Sequence, residues 1–81
     1  MTIRVKLFAI LRERAGSSEL QLDVPDGTSA SGASDALAKR LPAIQQHLSR
    51  VAYAVNQSYV DRATILRDGD ELALIPPVSG G

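Results

Sequence analysis

The sequence predicts a small α+β domain in which a mixed β-sheet packs one main helix against one of its faces. Several short segments alternate apolar and polar residues, as strands with one buried face do. One longer segment repeats apolar residues at three- and four-residue spacing, as an amphipathic helix does. The order strand, strand, helix and further strands is typical of α+β domains, and 81 residues suffice for one such domain.

The first strand is predicted from Ile3, Val5 and Leu7, which take alternate positions and so share one face. Residues 9–15 follow as a short helical turn. We expect this turn to end at Gly16, because glycine readily adopts the left-handed conformation that closes a helix.

A second strand is predicted from Leu20, Leu22 and Val24, which alternate with polar residues. Pro25-Asp26-Gly27 comes next, and these residue types favour a tight turn. The first two strands are expected to pair as an antiparallel hairpin.

The main helix is predicted after Thr28 and Ser29, either of which can cap its first turn. Pro42 lacks an amide hydrogen and clashes with the preceding turn, so the helix is expected to break near Leu41. Pro42 then opens a second short helical segment. The apolar stripe of the two segments consists of Ala33, Leu37, Leu41, Ile44 and Leu48.

The rest of the chain is predicted to form short strands joined by turns. Residues 51–55 are rich in β-forming residues, and Asn56-Gln57 turns the chain after them. Shorter extended pieces are expected at 59–60 and 64–66. A turn at 68–70, with the sequence Asp-Gly-Asp, leads into the last strand.

The last strand is predicted at 71–75. Leu72 and Leu74 share one of its faces, and Ala73 and Ile75 share the other. Among small folds, the ubiquitin-like β-grasp matches this order of elements best.

Composition excludes several classes of function. Nine basic and nine acidic residues balance without a basic stripe, so neither nucleic acid nor a membrane is an expected partner. No apolar stretch approaches the ~20 residues that span a bilayer, and the chain does not open with a signal peptide, so a cytoplasmic location is expected. Because the sequence has no cysteine, disulfides, cysteine-based metal sites and thiol nucleophiles are excluded.

No catalytic set is predicted inside the domain. His47 is the only histidine and is expected on a wet face, so it does not indicate a metal site. Asp68, Asp70 and Glu71 lack the spacing of a calcium loop and are better explained by a hairpin turn. No serine has a base and an orienting acid, and no glycine pattern binds phosphate. We expect no metal and no cofactor bound by this chain.

The C-terminal tail is the most informative feature for function. Two prolines make a stiff, extended stem, and two glycines add little bulk beside the terminal carboxylate. From Val78 to Gly81 the reach is about 13 Å. Such a tail fits a narrow channel in a partner protein; an ordinary chain terminus is the alternative. The tail, residues 76–81 after a domain at 1–75, consists of Pro76, Pro77, Val78, Ser79, Gly80 and Gly81.

Any reaction is expected at the carboxylate of Gly81. A carboxylate must first be activated, so an enzyme that uses ATP would convert it to an acyl-adenylate. Attack by sulfide or a persulfide leaves a thiocarboxylate, which stores sulfur, whereas attack by a lysine amine makes the chain a protein tag. Because cysteine is absent, the chain can carry sulfur only at this terminus.

An exposed apolar surface is predicted beside the tail. If the leucines of the last strand face the helix, Phe8 and Ile75 lie on the opposite face of the sheet, and Tyr59 is a third candidate. In a β-grasp the first and last strands are neighbours. The three residues are a candidate docking surface, and scattered surface residues without function are the alternative.

Motifs along the whole chain resemble the molybdopterin synthase small subunits, the MoaD-like sulfur carriers. The ending is the most specific of them. They are Ala54-Val55-Asn56-Gln57, Leu66 with Asp68-Gly69-Asp70-Glu71, Ala73, the ending Pro76 to Gly81, and the opening Ile3 to Gly16 with Phe8-Ala9 and Arg12-Glu13.

This resemblance implies a β-grasp fold and a non-catalytic sulfur-donor subunit. In that family an E1-like adenylyltransferase and sulfurase, which uses ATP, adenylates the C-terminal glycine and converts it to a thiocarboxylate. The tail then enters the synthase large subunit, in a heterotetramer, and its sulfur passes to precursor Z (cyclic pyranopterin monophosphate) in molybdenum cofactor biosynthesis. By resemblance Gly81 carries the sulfur and Gly80 threads the channel. Phe8, Tyr59 and Ile75 would face the partner.

One departure from the family pattern is the run of small residues at 30–34, where larger apolar residues are expected. Gly32 inside a helix costs about 1 kcal/mol relative to alanine, which predicts a weak helix start. Sulfur carriers of thiamine synthesis also end in Gly-Gly, but they are shorter and carry Asn-Gly where this chain has Asn56-Gln57. A thiamine-type carrier, a ubiquitin-like protein modifier and a pure interaction module remain the alternatives.

Overall fold

A computed structural model describes residues 1–77 of the protein. Four residues with a predicted role, Val78, Ser79, Gly80 and Gly81, lie outside the described residues. The elements are β1 (Thr2–Leu7), α1 (Ala9–Ala15), β2 (Glu19–Asp23), α2 (Ala30–Arg40), a 3₁₀ helix (Pro42–His47), β3 (Ala52–Val55), β4 (Ser58–Val60) and β5 (Glu71–Ile75). None of the helices within 1–77 has the length and apolar character needed to cross a membrane.

The five strands form one sheet in the order β2-β1-β5-β3-β4. β1 and β5 run parallel, whereas the β1–β2, β3–β5 and β3–β4 pairs are antiparallel. The predicted mixed sheet is therefore confirmed, as is the expected contact between the first and last strands. β1 and β2 pair as predicted, and α1, the helical turn predicted at 9–15, connects them.

The core lies between the inner face of this sheet and the helices. Alternation along β1 and β5 puts every second side chain on the inner face, where it is fully buried. The largest fully buried side chains are Ile3, Val5, Leu7, Leu11, Leu37, Ile44, Leu72 and Leu74. β5 has a strand on each side and the core against its inner face, so it is the most buried strand of the domain.

α2 begins at Ala30 despite the glycine in its first turn. Ser29 caps the helix, because its Oγ accepts a hydrogen bond of 3.0 Å from the amide of Gly32. Ala30 and Ala33 are fully buried, so small side chains let the start of the helix lie close to its neighbours.

The first turn of α2 is also held by the loop before β5. The amides of Ala30 and Ser31 donate to the carbonyls of Thr64 and Arg62, both at 2.9 Å. These amides belong to the group that a helix cannot satisfy internally. The loop therefore stabilises the helix start, and this contact joins segments more than 30 residues apart in the chain.

The predicted helix break at Leu41 is confirmed, and Pro42 is the first residue of the 3₁₀ helix. The extended piece predicted at 64–66 adds no strand to the sheet, but Ile65 makes an isolated antiparallel bridge to Ser29, as extended backbone allows. The carbonyl of Thr64 accepts from the amide of Ala30, so this segment also holds the start of α2.

Candidate docking surface and tail root

The outer face of the sheet carries a row of residues that strand register brings together. β5 contributes Ala73 to this face, because the leucines on either side of it face the core. Ala73 pairs with Lys6 of β1 on one side and with Ala54 of β3 on the other. Ala54 pairs in turn with Tyr59 of β4. Paired residues share a face, so these four side chains cross the sheet in one line.

A second row lies nearer the end of β5. Leu7 pairs with Leu74, so Phe8 and Ile75 come one step later on the outer face. Phe8 keeps an extended backbone, with φ −125° and ψ 155°, which continues the alternation of β1 before α1 begins. Ile75 also pairs with Ala52 of β3. The apolar side chains of both rows, which we name the open-face patch, are Phe8, Ala52, Ala54, Tyr59, Ala73 and Ile75.

In the open-face patch, small and nearly buried alanines form a floor between larger, more exposed aromatic side chains. Ala54 and Ala73 are only 6% and 8% exposed, whereas Phe8 is 42% and Tyr59 75% exposed. Strands are spaced about 4.8 Å apart, so Tyr59 lies roughly 14 Å across the sheet from β1. The structure thus places the three predicted partner-facing residues on one face, with Phe8 beside Ile75 and Tyr59 beyond the alanine floor.

The other end of the outer face is charged. The Arg4 guanidinium lies 3.9 Å from carboxylate oxygens of both Glu19 and Glu71, and the Lys6 ammonium lies 3.5 Å from Glu71. Two cations and two anions balance there. The Arg4, Lys6 and Glu19 side chains are well exposed, although that of Glu71 is only 13% exposed. Water screens such long pairs, so they contribute little to stability and mainly keep this end of the face polar.

The tail leaves the domain at the apolar end of this face. β5 ends at Ile75, and Pro76 and Pro77 follow it. The two prolines line a pocket of about 310 Å³ that we name the tail-root pocket, and its other lining residues are Ile10, Gln46, His47, Ser49 and Arg50. The open-face patch and the tail-root pocket therefore meet at the root of the tail.

His47 is half-buried and lines the tail-root pocket. Within residues 1–77, no three acidic or histidine side chains lie close enough together to hold a metal ion. The acidic turn before β5 binds the chain's own donors. Asp68 accepts from the amide of Thr2, and Asp70 accepts from the amide of Arg67, both at 2.8 Å.

A larger surface groove, about 790 Å³, lies between α2 and the β3–β4 hairpin. Asp35 is the one acidic residue that lines it, and Lys39 and Arg62 are basic. None of the lining residues that the structure describes is a histidine.

Sequence reasoning had singled out only part of this site. Ala52 and Ala54 were ambiguous in the sequence, because alanine fits either face of a strand. Their neighbour Tyr53 pairs with Leu74 and so faces the core, which sends both alanines outward. The role of Arg50 could not be predicted from the sequence, because a single basic residue in a loop does not indicate a site. Only the fold places it at the tail root.

Comparisons with known proteins agree with this geometry. The ThiS family model matches residues 5–81. The molybdopterin synthase sulfur carrier subunit of Arabidopsis thaliana is 39% identical over 79 residues, which cover 98% of this chain and 82% of that protein.

Solved structures share the fold. SAMP1 of Haloferax volcanii, a small archaeal modifier protein, superposes with a TM-score of 0.89 and 34% identity over the full length of both chains. A chain from the complex of subunits 1 and 2 of the Helicobacter pylori molybdopterin-converting factor superposes with a TM-score of 0.71 over both full lengths. Its 24% identity extends the likeness to the fold alone. The predicted ubiquitin-like β-grasp is confirmed.

Proposed function

The chain belongs to the ThiS family, and from this membership we propose that it is the sulfur carrier subunit of a molybdopterin synthase. Gly81 is converted to a thiocarboxylate, and its sulfur is donated to cyclic pyranopterin monophosphate in molybdenum cofactor biosynthesis in the cytoplasm. The observation that carries the proposal is the continuity of the open-face patch with the tail through β5. A partner that docks on the patch receives the tail at the same time.

The chemistry of the chain is confined to its terminal carboxylate. A carboxylate oxygen of Gly81 attacks the α-phosphorus of ATP, so pyrophosphate leaves and an acyl-adenylate forms. Hydrosulfide then attacks the acyl carbon and AMP leaves, which gives the thiocarboxylate. If the nucleophile is instead a persulfide of the enzyme, an acyl disulfide forms, and attack by a second thiol releases the thiocarboxylate and leaves a disulfide on the enzyme. Both steps belong to an E1-like activating enzyme that binds the ATP, and the chain itself binds no metal and no cofactor.

The folded domain positions the C-terminal tail for this chemistry. We propose that Phe8, Tyr59 and Ile75 contact the large subunit of the synthase, in a heterotetramer. The Pro76-Pro77 stem aims the tail, and Gly80 passes the narrowest part of the channel. The likeness to the molybdopterin synthase sulfur carrier subunit of Arabidopsis thaliana supports this choice of partner.

The proposal is tested by the intact mass of the chain. The chain is incubated with its activating enzyme, ATP and a sulfur donor, and a parallel sample lacks ATP. The expected result is a mass gain equal to the exchange of one oxygen for sulfur, mapped to Gly81 and dependent on ATP. The loaded chain should then convert cyclic pyranopterin monophosphate to molybdopterin with the large subunit. An unchanged mass with an active enzyme would refute the proposal.

A ubiquitin-like protein modifier is the second candidate function. The likeness to SAMP1 of Haloferax volcanii favours it, because that protein is a small archaeal modifier protein. In this case a lysine amine attacks the activated Gly81, and an isopeptide bond forms. Covalent adducts on other proteins, found by mass spectrometry after the same incubation, would distinguish this function from sulfur transfer.

A further inference from the structure

The tail-root pocket lies on the other side of the tail from the open-face patch. Phe8 and Ile75 belong to the outer face of the sheet. Ile10 belongs to α1 and packs against the core cluster, which also contains Ile44 of the 3₁₀ helix, so these elements cover the inner face. The root of the tail is thus flanked by an apolar surface on one side and by the tail-root pocket on the other.

Within residues 1–77, the tail-root pocket has a cation without an ion-pair partner. Arg50 is exposed, and none of the ion pairs in that range includes it. His47 also lines the pocket, and none of the described lining residues is acidic. This contrasts with the charged end of the outer face, where Arg4 and Lys6 both lie close to Glu71.

A channel that admits the tail must surround it, which places the channel mouth against both sides of the tail root. A partner that covered only the open-face patch would leave half of the mouth without a contact. Once the mouth closes over the tail-root pocket, Arg50 loses water. A desolvated guanidinium without an anionic partner is strongly unfavourable, so the facing surface requires a carboxylate.

We propose that the channel mouth of the synthase large subunit presents an Asp or Glu carboxylate to Arg50, with His47 beside it, so that the tail-root pocket is the second half of the interface. This inference rests on the proposed function, because it needs a partner that encloses the tail. It adds a charged contact that orients the domain about the tail, which the apolar patch alone does not.

The test measures how fast the full chain binds the large subunit, at low and high salt, for wild type and three variants. Arg50→Glu should lower the association rate constant about tenfold at low salt, and the difference should shrink at high salt, because charges at an interface act mainly on association. Arg50→Lys keeps the charge and should stay within about twofold of wild type.

Arg67→Glu is the matched control. It makes the same change in net charge, and Arg67 is an exposed residue in the turn before β5. β5 separates this turn from the tail root by about 13 Å, since the four steps from Glu71 to Ile75 rise roughly 3.3 Å each. This control should stay within about twofold of wild type. Thermal unfolding of each variant verifies that the domain is folded.

Each outcome is decisive. Wild-type chain that fails to bind the large subunit overturns the proposed function and this inference with it. Binding in which Arg50→Glu and Arg67→Glu behave alike overturns the inference and leaves the proposed function standing. Faster binding by Arg50→Glu also overturns it, because a basic group would then face position 50. Restored association of Arg50→Glu with a large subunit whose acidic mouth residue is changed to lysine supports the inference.

Discussion

At the scale of single residues, the side chains on the outer face of the sheet are distinct from those that form the core. Ala54 and Ala73 are nearly covered, yet neither belongs to the core cluster. Phe8 rises beside them and remains 42% exposed. Side chains of this kind are free to serve recognition because the core does not depend on them.

The first prediction concerns Phe8. Phe8→Ala should weaken binding of the large subunit roughly tenfold, because exposed aromatic residues at an interface centre lose about 1–2 kcal/mol or more on truncation. Isothermal titration calorimetry measures the change. Ile65→Ala is the control, since Ile65 is 58% exposed but lies in the loop that bridges to Ser29, outside the open-face patch. Equal losses in both variants would contradict a specific role for Phe8.

The second prediction concerns Gly80. Gly80→Val should reduce sulfur transfer about 100-fold, because a branched side chain misplaces the thiocarboxylate in a narrow channel. The melting temperature should not change, since Gly80 follows the last strand by five residues. Ser79→Ala, which adds no bulk, is the control. Transfer at the wild-type rate by Gly80→Val would rule out a tight channel.

At the scale of elements, two local structures depend on distant parts of the chain. The first amides of α2 donate to carbonyls of the loop at 62–64. The β3–β4 turn is joined to the start of β5 through Asn56, whose side chain donates to Asp70 and accepts from the amide of Glu71, both at 3.1 Å. The chain between β4 and β5 therefore contributes to stability although it contains no strand.

The third prediction concerns backbone conformation in turns. Asn56 and Gln57 both have left-handed backbones, with φ 50° and 72°. Two-residue turns of this kind favour Asn-Gly, so Gln57→Gly should raise the free energy of unfolding by about 0.5–1 kcal/mol.

Gly69→Ala provides the opposite change in the turn before β5. Gly69 has φ 84°, and an added Cβ would meet no atom within 4 Å. Any loss is therefore conformational and should be about 1–2 kcal/mol. Urea unfolding measures both variants. Destabilisation by Gln57→Gly would show that the glutamine side chain contributes more than its backbone strain removes.

At the scale of the whole molecule, β5 connects stability to function. It is the central strand, with β1 and β3 on its two sides. Its leucines fill the core, whereas Ala73 and Ile75 belong to the open-face patch. The strand leads directly into Pro76, so the most buried strand of the domain fixes the point at which the tail leaves it.

The fourth prediction separates the two faces of β5. Leu74→Ala should lower the free energy of unfolding by about 2–5 kcal/mol, because Leu74 is fully buried in the core. Ile75→Ala should cost about 1 kcal/mol or less, since Ile75 is only half-buried, but should weaken large-subunit binding roughly tenfold. Chemical denaturation and calorimetry measure the two effects. Similar stability losses in the two variants would contradict this division.

Much of the fold was predictable because its signals are local. The boundaries of α1 and β5 agree with the predicted 9–15 and 71–75, since Gly16 and the Asp-Gly-Asp turn mark them in the sequence. The extended piece predicted at 64–66 forms only an isolated bridge from Ile65 to Ser29, because no neighbouring strand continues the pairing. The half-buried position of His47 had no local signal, since it depends on α1 and on the tail stem.

The order of residues alone determined the alternation of the strands, the cap and break of the main helix, the glycine-ended tail and the absence of any thiol. Each follows from the chemistry of residues close together in the chain. Only the tertiary structure decided which strands pair, and hence that Ala54, Ala73 and Tyr59 share a face and that Arg50 reaches the root of the tail. Such contacts join distant segments through burial, which no local pattern encodes.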